Sequence, residues 1–285
     1  LRLRDLPWQF LILWIYSIVL GFVFMLAAYQ TSAWEGTTFY FIATFVFAAF
    51  LIVLKYTFFR GREMPFEFTK NAPAYAYTLA FLYIPIMYFL AQGLTYLTTG
   101  VIASGSWLRS GWFPEVFQHF FSLTDIPIIL PAWLGSVSVY LQEFALQVSD
   151  VGPAEELFKT AVWVSVLVVI LWWREQSSGK PQKIGIATVF VVGSLINGLW
   201  VAMHGIVAYH TASDFLIALV EGELLLAPTW LFGTPFPAVI AHGTWNTFEA
   251  LDLLIPYVMY AMMIIFGTLT VYFYFRNRRR HKQTV

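Results

Sequence analysis

Eight apolar runs of near-spanning length dominate the chain, at about residues 8–29, 39–57, 74–98, 153–173, 184–205, 214–232, 235–251 and 254–275. A bilayer core roughly 30 Å thick is crossed by about 20 helical residues. Inside it every backbone N–H and C=O must find a partner within the protein, so only helices or a closed barrel can span. These runs are continuous rather than alternating, which selects helices. Of 285 residues, 59% are hydrophobic and only 11% charged, whereas soluble domains are about a quarter charged. The fold class read from this is all-α, a polytopic transmembrane helix bundle of about eight spans. The first run is itself long enough to cross, so no cleavable leader is expected.

The basic residues orient the bundle. With the N-terminus inside and residues 126–147 not crossing, 14 of the 16 Lys and Arg residues fall on one side of the membrane. Arg109 alone lies opposite, and Lys159 lies within a span. Had 126–147 crossed, Arg174, Lys180, Lys183 and the C-terminal basic cluster would move outside, against the positive-inside rule. Both termini are therefore expected in the cytoplasm. Residues 99–150 become an outer elaboration. Within it, Trp107–Phe121 mixes aromatic and charged residues as an interfacial helix does, or as a long loop packed on the bundle does. The chain reads as one membrane domain, 1–285. It comprises three N-terminal spans (1–98), the outer segment (99–150), a core (151–251), and a last span with a basic tail (252–285).

Cysteine is absent. Disulfides, iron–sulfur clusters, thiolate zinc and a cysteine nucleophile are excluded. Net charge is zero, and no basic patch interleaved with aromatics indicates nucleic acid.

Against this background the polar residues inside the spans are conspicuous, because charge within a membrane is costly and by default functional. The fourth span opens Gly152-Pro153-Ala154-Glu155-Glu156-Leu157-Phe158-Lys159. Proline and acids at a helix start are also ordinary N-terminal chemistry, and Lys159 four residues after Glu155 is a stabilising spacing. Adjacent glutamates diverge by about 100° around a helix, so one can face a site while the other pairs with Lys159. The fifth span carries Asn197, Trp200 and His204; His204 beside Trp200 also fits an aromatic interfacial belt. The sixth carries Glu221 and Glu223, and the seventh His242 and Asn246, one turn apart on one face. Helix rise puts Glu223 and His242 at a similar depth, about 14 Å from the outer end, so they are expected to be close. A packing role is open for each group. The topology, drawn from basic residues alone, sends Glu155, His204, His242 and Asn246 towards one side.

In chain order, Glu155-Glu156-x-x-Lys159, Trp200-x-x-x-His204 and His242-x-x-x-Asn246 resemble the three motifs of the CAAX protease and bacteriocin-processing superfamily (CPBP, or Abi) of intramembrane proteases. The resemblance covers roughly residues 150–250. Thr160 occupies the position of that family's arginine, and the first motif is similar instead to the glutamic proteases that cleave anti-sigma factors. The resemblance implies a membrane-embedded endopeptidase acting on a membrane-anchored peptide or protein among lipids, in a prokaryotic plasma membrane. It implies catalytic roles for Glu155, Glu156, His204, His242 and Asn246, with Lys159 and Trp200 in support; Glu223 joins them in support through its expected depth beside His242. Glu155 would activate water, His204 would hold it, and His242 and Asn246 would donate to the oxyanion. Glu156 would orient the site, with exchange of roles between the two glutamates open. No cofactor is favoured. A zinc alternative would use Glu155, His204 and His242. The rival readings are an inactive family member serving as a binding or assembly subunit, and a small transporter relaying protons through Glu223, His242 and Glu155.

Overall fold

The computed structural model describes residues 8–30, 33–57, 59–60, 71–100, 152–208, 212–250 and 254–283. Within them the chain is helical, with no strand. The first helix runs α1 (Trp8–Trp14), a π-helical stretch (Ile15–Val19) and α2 (Leu20–Gln30). There follow α3 (Ala33–Thr57), α4 (Ala74–Thr99), α5 (Gly152–Ser178), α6 (Ile186–Ala208), α7 (Ala212–Phe232), α8 (Phe236–Ala250) and α9 (Pro256–Gln283). Counting α1–α2 as one rod gives eight helical rods, matching the eight apolar runs. The outer elaboration, including Trp107–Phe121, lies outside the described residues.

Glycine ends several of these helices in a way only it does readily. Gly100, Gly179 and Gly233 adopt φ of 73°, 66° and 65°, a left-handed conformation that closes a C-terminus. Gly233 N–H bonds back to Thr229 O at 2.9 Å. The chain then turns through Pro235 directly into α8, making α7 and α8 an antiparallel hairpin. Near the α5–α6 turn the buried Glu175 accepts the Gln182 N–H at 3.1 Å.

Two apolar clusters hold the bundle. One joins α1–α3, α5 and α6 around Phe47, Phe158, Trp163 and Trp200. The Phe158 ring sits 5.5 Å from Phe22, 5.4 Å from Phe47 and 5.2 Å from Trp200. Gly21 is what lets α2 approach α3, because a Cβ there would run into the Phe47 ring. The second cluster joins α4, α7, α8 and α9 around Tyr83, Met87, Trp245 and Met259. Phe81 stacks on Phe266 at 4.8 Å, and Thr270 donates to Thr78 at 2.9 Å. Helix α4, third in sequence, thus packs with the C-terminal helices, while α2 and α3 pack on α5.

Four helical stretches are long and apolar enough to cross a membrane, Gln9–Ala28, Thr38–Thr57, Ala74–Leu97 and Pro256–Arg280. They present large apolar side chains outward, among them Phe45, Leu97, Tyr257 and Ile264. Helix α8, with 15 residues, is shorter than these, and α6 contributes a shorter apolar stretch, Ile186–Ala202; α5, α7 and α8 carry charged and polar groups. The first half of α5 is buried almost all round, from Ala154 to Val168, as a central helix is. The bundle is thus more polar towards its middle than on its outside, the inverse of a soluble domain.

Candidate functional site

The central helix α5 meets α8 on the seam between the two apolar clusters. Glu155 and Glu156 stand in the opening turns of α5, where the aligned peptide dipoles favour negative charge. Both are buried, Glu156 completely. Adjacent positions on a helix diverge, yet both carboxylates reach one imidazole. His242 of α8 places Nδ1 2.8 Å from Glu156 Oε1 and Nε2 3.6 Å from Glu155 Oε2. The same Glu156 oxygen receives the Lys159 ammonium at 2.5 Å, and the Lys159 side chain is itself buried. Glu156 Oε2 is buried with no hydrogen-bond partner among the described residues.

This geometry assigns the histidine's proton. Glu156 Oε1 already accepts from an ammonium, so Nδ1 is the donor in the 2.8 Å contact. Nε2 is thereby turned towards Glu155, and its tautomer is set by the bond at the other nitrogen. The distance of 3.6 Å is too long for a direct hydrogen bond, yet both atoms can contact one small molecule. Asn246, one turn after His242, is buried on α8.

The neighbouring hydroxyls are occupied. Thr160, Thr244 and Thr247 donate to the carbonyls of Glu156, Ile240 and Gly243 in their own helices, each at 2.7 Å. None is offered as a nucleophile. Thr160, at the expected arginine position, contributes no charge; Lys159 on the adjacent position neutralises Glu156 directly.

The remaining sequence-derived positions separate. Trp200 is buried against Phe158 in the apolar cluster that joins α5 to α6. Position 204 is helical, one turn further along α6, but the His204 side chain lies outside the described residues. Glu223 is held by α6: Asn197 Nδ2 and Ser194 Oγ donate to its two oxygens, each at 3.1 Å. Asn197 also donates to Leu219 O at 3.1 Å and is packed against Gly222. Glu221, the other α7 acid, is partly exposed. Tyr83 of α4 donates to the Glu221 backbone carbonyl at 3.2 Å and meets Trp245 of α8 edge-on at 6.3 Å. Sequence reasoning named Glu221 without choosing it, because two glutamates two positions apart cannot be ranked without knowing which helix faces which. Tyr83 carried no signal among 15 tyrosines.

Zinc can be weighed against these donors. Ligands at about 2.0–2.2 Å on a tetrahedral ion stand a little over 3 Å apart, and Glu155 Oε2 to His242 Nε2 is close to that span. Glu156 on the other ring nitrogen is also the partner such a ligand takes. Yet among the described residues no three His, Asp or Glu side chains form a metal-holding group. The third ligand of the alternative, His204, lies outside those residues.

No protein-family model, curated protein or solved structure matches this chain.

Proposed function

We propose that the chain is an intramembrane endopeptidase that hydrolyses a membrane-associated peptide or protein with water activated between Glu155 and His242. The observation that carries this reading is one imidazole hydrogen-bonded by one buried carboxylate and faced at 3.6 Å by a second on the same neighbouring helix, with a buried ammonium on the first. The sequence pattern at these positions, similar to the CAAX protease and bacteriocin-processing superfamily, supports the same chemistry. A purely structural ion pair needs one acid. The second, at 3.6 Å, leaves a histidine nitrogen and a carboxylate aimed at a common point.

The roles follow from the contacts. Glu156 accepts Nδ1–H and fixes the imidazole; Lys159 neutralises Glu156 so that its charge does not compete for the reaction. Glu155 takes the proton of a water as the water attacks the scissile carbonyl. His242 Nε2 and Asn246 serve the oxyanion, His242 when protonated at Nε2, where preorganised donors act most strongly in a water-poor setting. Were zinc to supply the water activation, Glu155, His242 and His204 would hold it. The charged groups of α5 and α8 are screened from lipid by the apolar outer helices, which supports all eight rods crossing the membrane. With both termini cytoplasmic, Glu155 faces the outer half.

The test is cleavage by the purified full chain in liposomes, using a library of internally quenched transmembrane peptides in ¹⁸O-labelled water. Peptide fragments carrying one ¹⁸O in the new carboxyl group are expected. No cleavage of any peptide, with the chain folded, would defeat the proposal.

A further inference from the structure

Helix α9 outruns both a bilayer core and the helix it packs on. Its 28 residues, Pro256–Gln283, make a rod about 42 Å long, against a hydrocarbon core of roughly 30 Å. Exposed tyrosines stand near both ends of its apolar part, Tyr257 and Tyr260 at one and Tyr272 and Tyr274 at the other. Tyr257 and Tyr274 are about 26 Å apart along the axis, close to the separation of two interfacial aromatic belts. At the second belt α9 is pinned: Tyr274 meets Tyr75 edge-on at 5.7 Å, and Tyr75 meets Phe232 at the end of α7 at 5.6 Å. Tyr75 lies in the opening turn of α4, so α9 continues past the start of its partner. The continuation is cationic. Arg276, Arg278 and Arg279 are exposed and make no hydrogen bond or ion pair with another described residue. Arg280 follows, also exposed. No acid occurs from Pro256 to Val285, nor in the first turns of α4 and α8.

We propose that the basic end of α9 binds a shell of anionic phospholipid headgroups in the leaflet where the second tyrosine belt lies. The proposal needs α9 to cross a bilayer and is independent of the protease reading. Charge distribution around the helix selects the partner. At 100° per residue, Arg276, Arg278, Arg279 and Arg280 leave the axis at about 0°, 200°, 300° and 40°. An acidic protein surface would meet one side of such a rod, and a second copy of the chain would bring more positive charge. Headgroups of the surrounding leaflet meet every side at once. Guanidinium groups suit them, since their planar donors match phosphate oxygens two at a time. Helix α9 packs mainly on α4, so a headgroup shell adds an anchor where side-chain packing ends. The Tyr274–Tyr75–Phe232 contacts carry that anchoring to the end of α7, where the hairpin into α8 starts.

The experiment offers the full chain, in neutral detergent, equal amounts of phosphatidylglycerol and phosphatidylcholine with the same acyl chains. Retained lipid is counted by native mass spectrometry. A preference for phosphatidylglycerol of about fivefold or more is expected in wild type, falling to within about twofold when Arg276, Arg278 and Arg279 are all replaced by Gln. Replacing the same three with Lys is expected to keep most of the preference. Replacing Lys180 and Lys183 in the α5–α6 turn with Gln is expected to leave it within about twofold of wild type. A readout that needs no variant is salt: the wild-type preference is expected to shrink between about 0.05 and 0.5 M sodium chloride. Equal retention of the two lipids by wild type overturns the proposal and leaves the basic end to an acidic protein. A preference that survives the triple glutamine variant, or that ignores salt, also overturns it. So does an equal loss in the Lys180 and Lys183 variant, which would mark general surface charge. Inorganic phosphate that abolishes the preference where sodium chloride of the same ionic strength does not would mark a free-anion site instead, and overturns it too.

Discussion

His242 Nδ1 lies 2.8 Å from Glu156 Oε1, a contact that ties the half of the bundle built on α5 to the half built on α4 and α9. Because the same oxygen holds Lys159 at 2.5 Å, the three side chains form one continuous polar chain. Structure and chemistry are therefore separable in this site by choosing which link to cut.

Glu156→Gln keeps the shape and leaves the Lys159 ammonium buried without its counter-charge. Breaking a buried pair from one side costs about 3–5 kcal/mol, so the variant is expected to unfold well below wild type in a detergent melt. Adding Lys159→Met removes the stranded charge and recovers much of the stability. Cleavage stays reduced by about 100-fold or more in both, because neither holds His242 Nδ1 with a carboxylate. Recovery of activity along with stability in the double variant would show that Glu156 is only a buttress.

Glu223 is predicted to be structural. Its carboxylate is bonded to Ser194 and Asn197 rather than to the α5–α8 cluster. Glu223→Gln weakens charge-assisted bonds to neutral ones, at a cost of about 1 kcal/mol, read as a small fall in melting temperature. The cleavage rate is expected to match wild type. A large loss of cleavage with normal stability would return Glu223 to the site.

Packing of α6 on α7 gives a third prediction, drawn from two glycines. A Cβ at Gly222 would collide with the Asn197 side chain, whereas one at Gly198 meets only Leu219 Cδ1 at 3.8 Å. Gly222→Ala is expected to destabilise by about 1–3 kcal/mol. Gly198→Ala should be neutral or gain up to about 1 kcal/mol from helix propensity. Thermal unfolding of the two variants side by side checks this.

Metal removal separates the two ways of activating water. The account expects cleavage to survive prolonged treatment with strong chelators, and elemental analysis of active protein to find no stoichiometric zinc. Zinc lost in parallel with activity, and restored with it, would assign Glu155 and His242 as ligands instead.

Much of this architecture was legible in the sequence, because bilayer physics leaves few choices. Uninterrupted apolar runs gave the helical rods, and left-handed Gly100, Gly179 and Gly233 mark where α4, α5 and α7 stop. That one of the two glutamates pairs with Lys159 was legible too, but four-residue spacing pointed to Glu155, and the structure makes Glu156 the partner. What the sequence withheld was which faces meet. Equal depth made Glu223 the expected neighbour of His242, yet depth says nothing about rotation around the axis. The α7 face bearing Glu223 turns to Asn197 and Ser194 on α6. Trp200 read equally well as an interfacial anchor, because a tryptophan packs on lipid or on Phe158 by the same apolar surface.

The most direct test of the central claim is the cleavage rate of Glu155→Gln, with its melting temperature measured in parallel. Glu155→Gln leaves Lys159 paired with Glu156, so the variant is expected to fold. Its cleavage of a wild-type substrate peptide is expected to fall by about 100- to 10,000-fold, the usual range for a removed acid–base group. Cleavage at the wild-type rate by the folded variant would contradict the account.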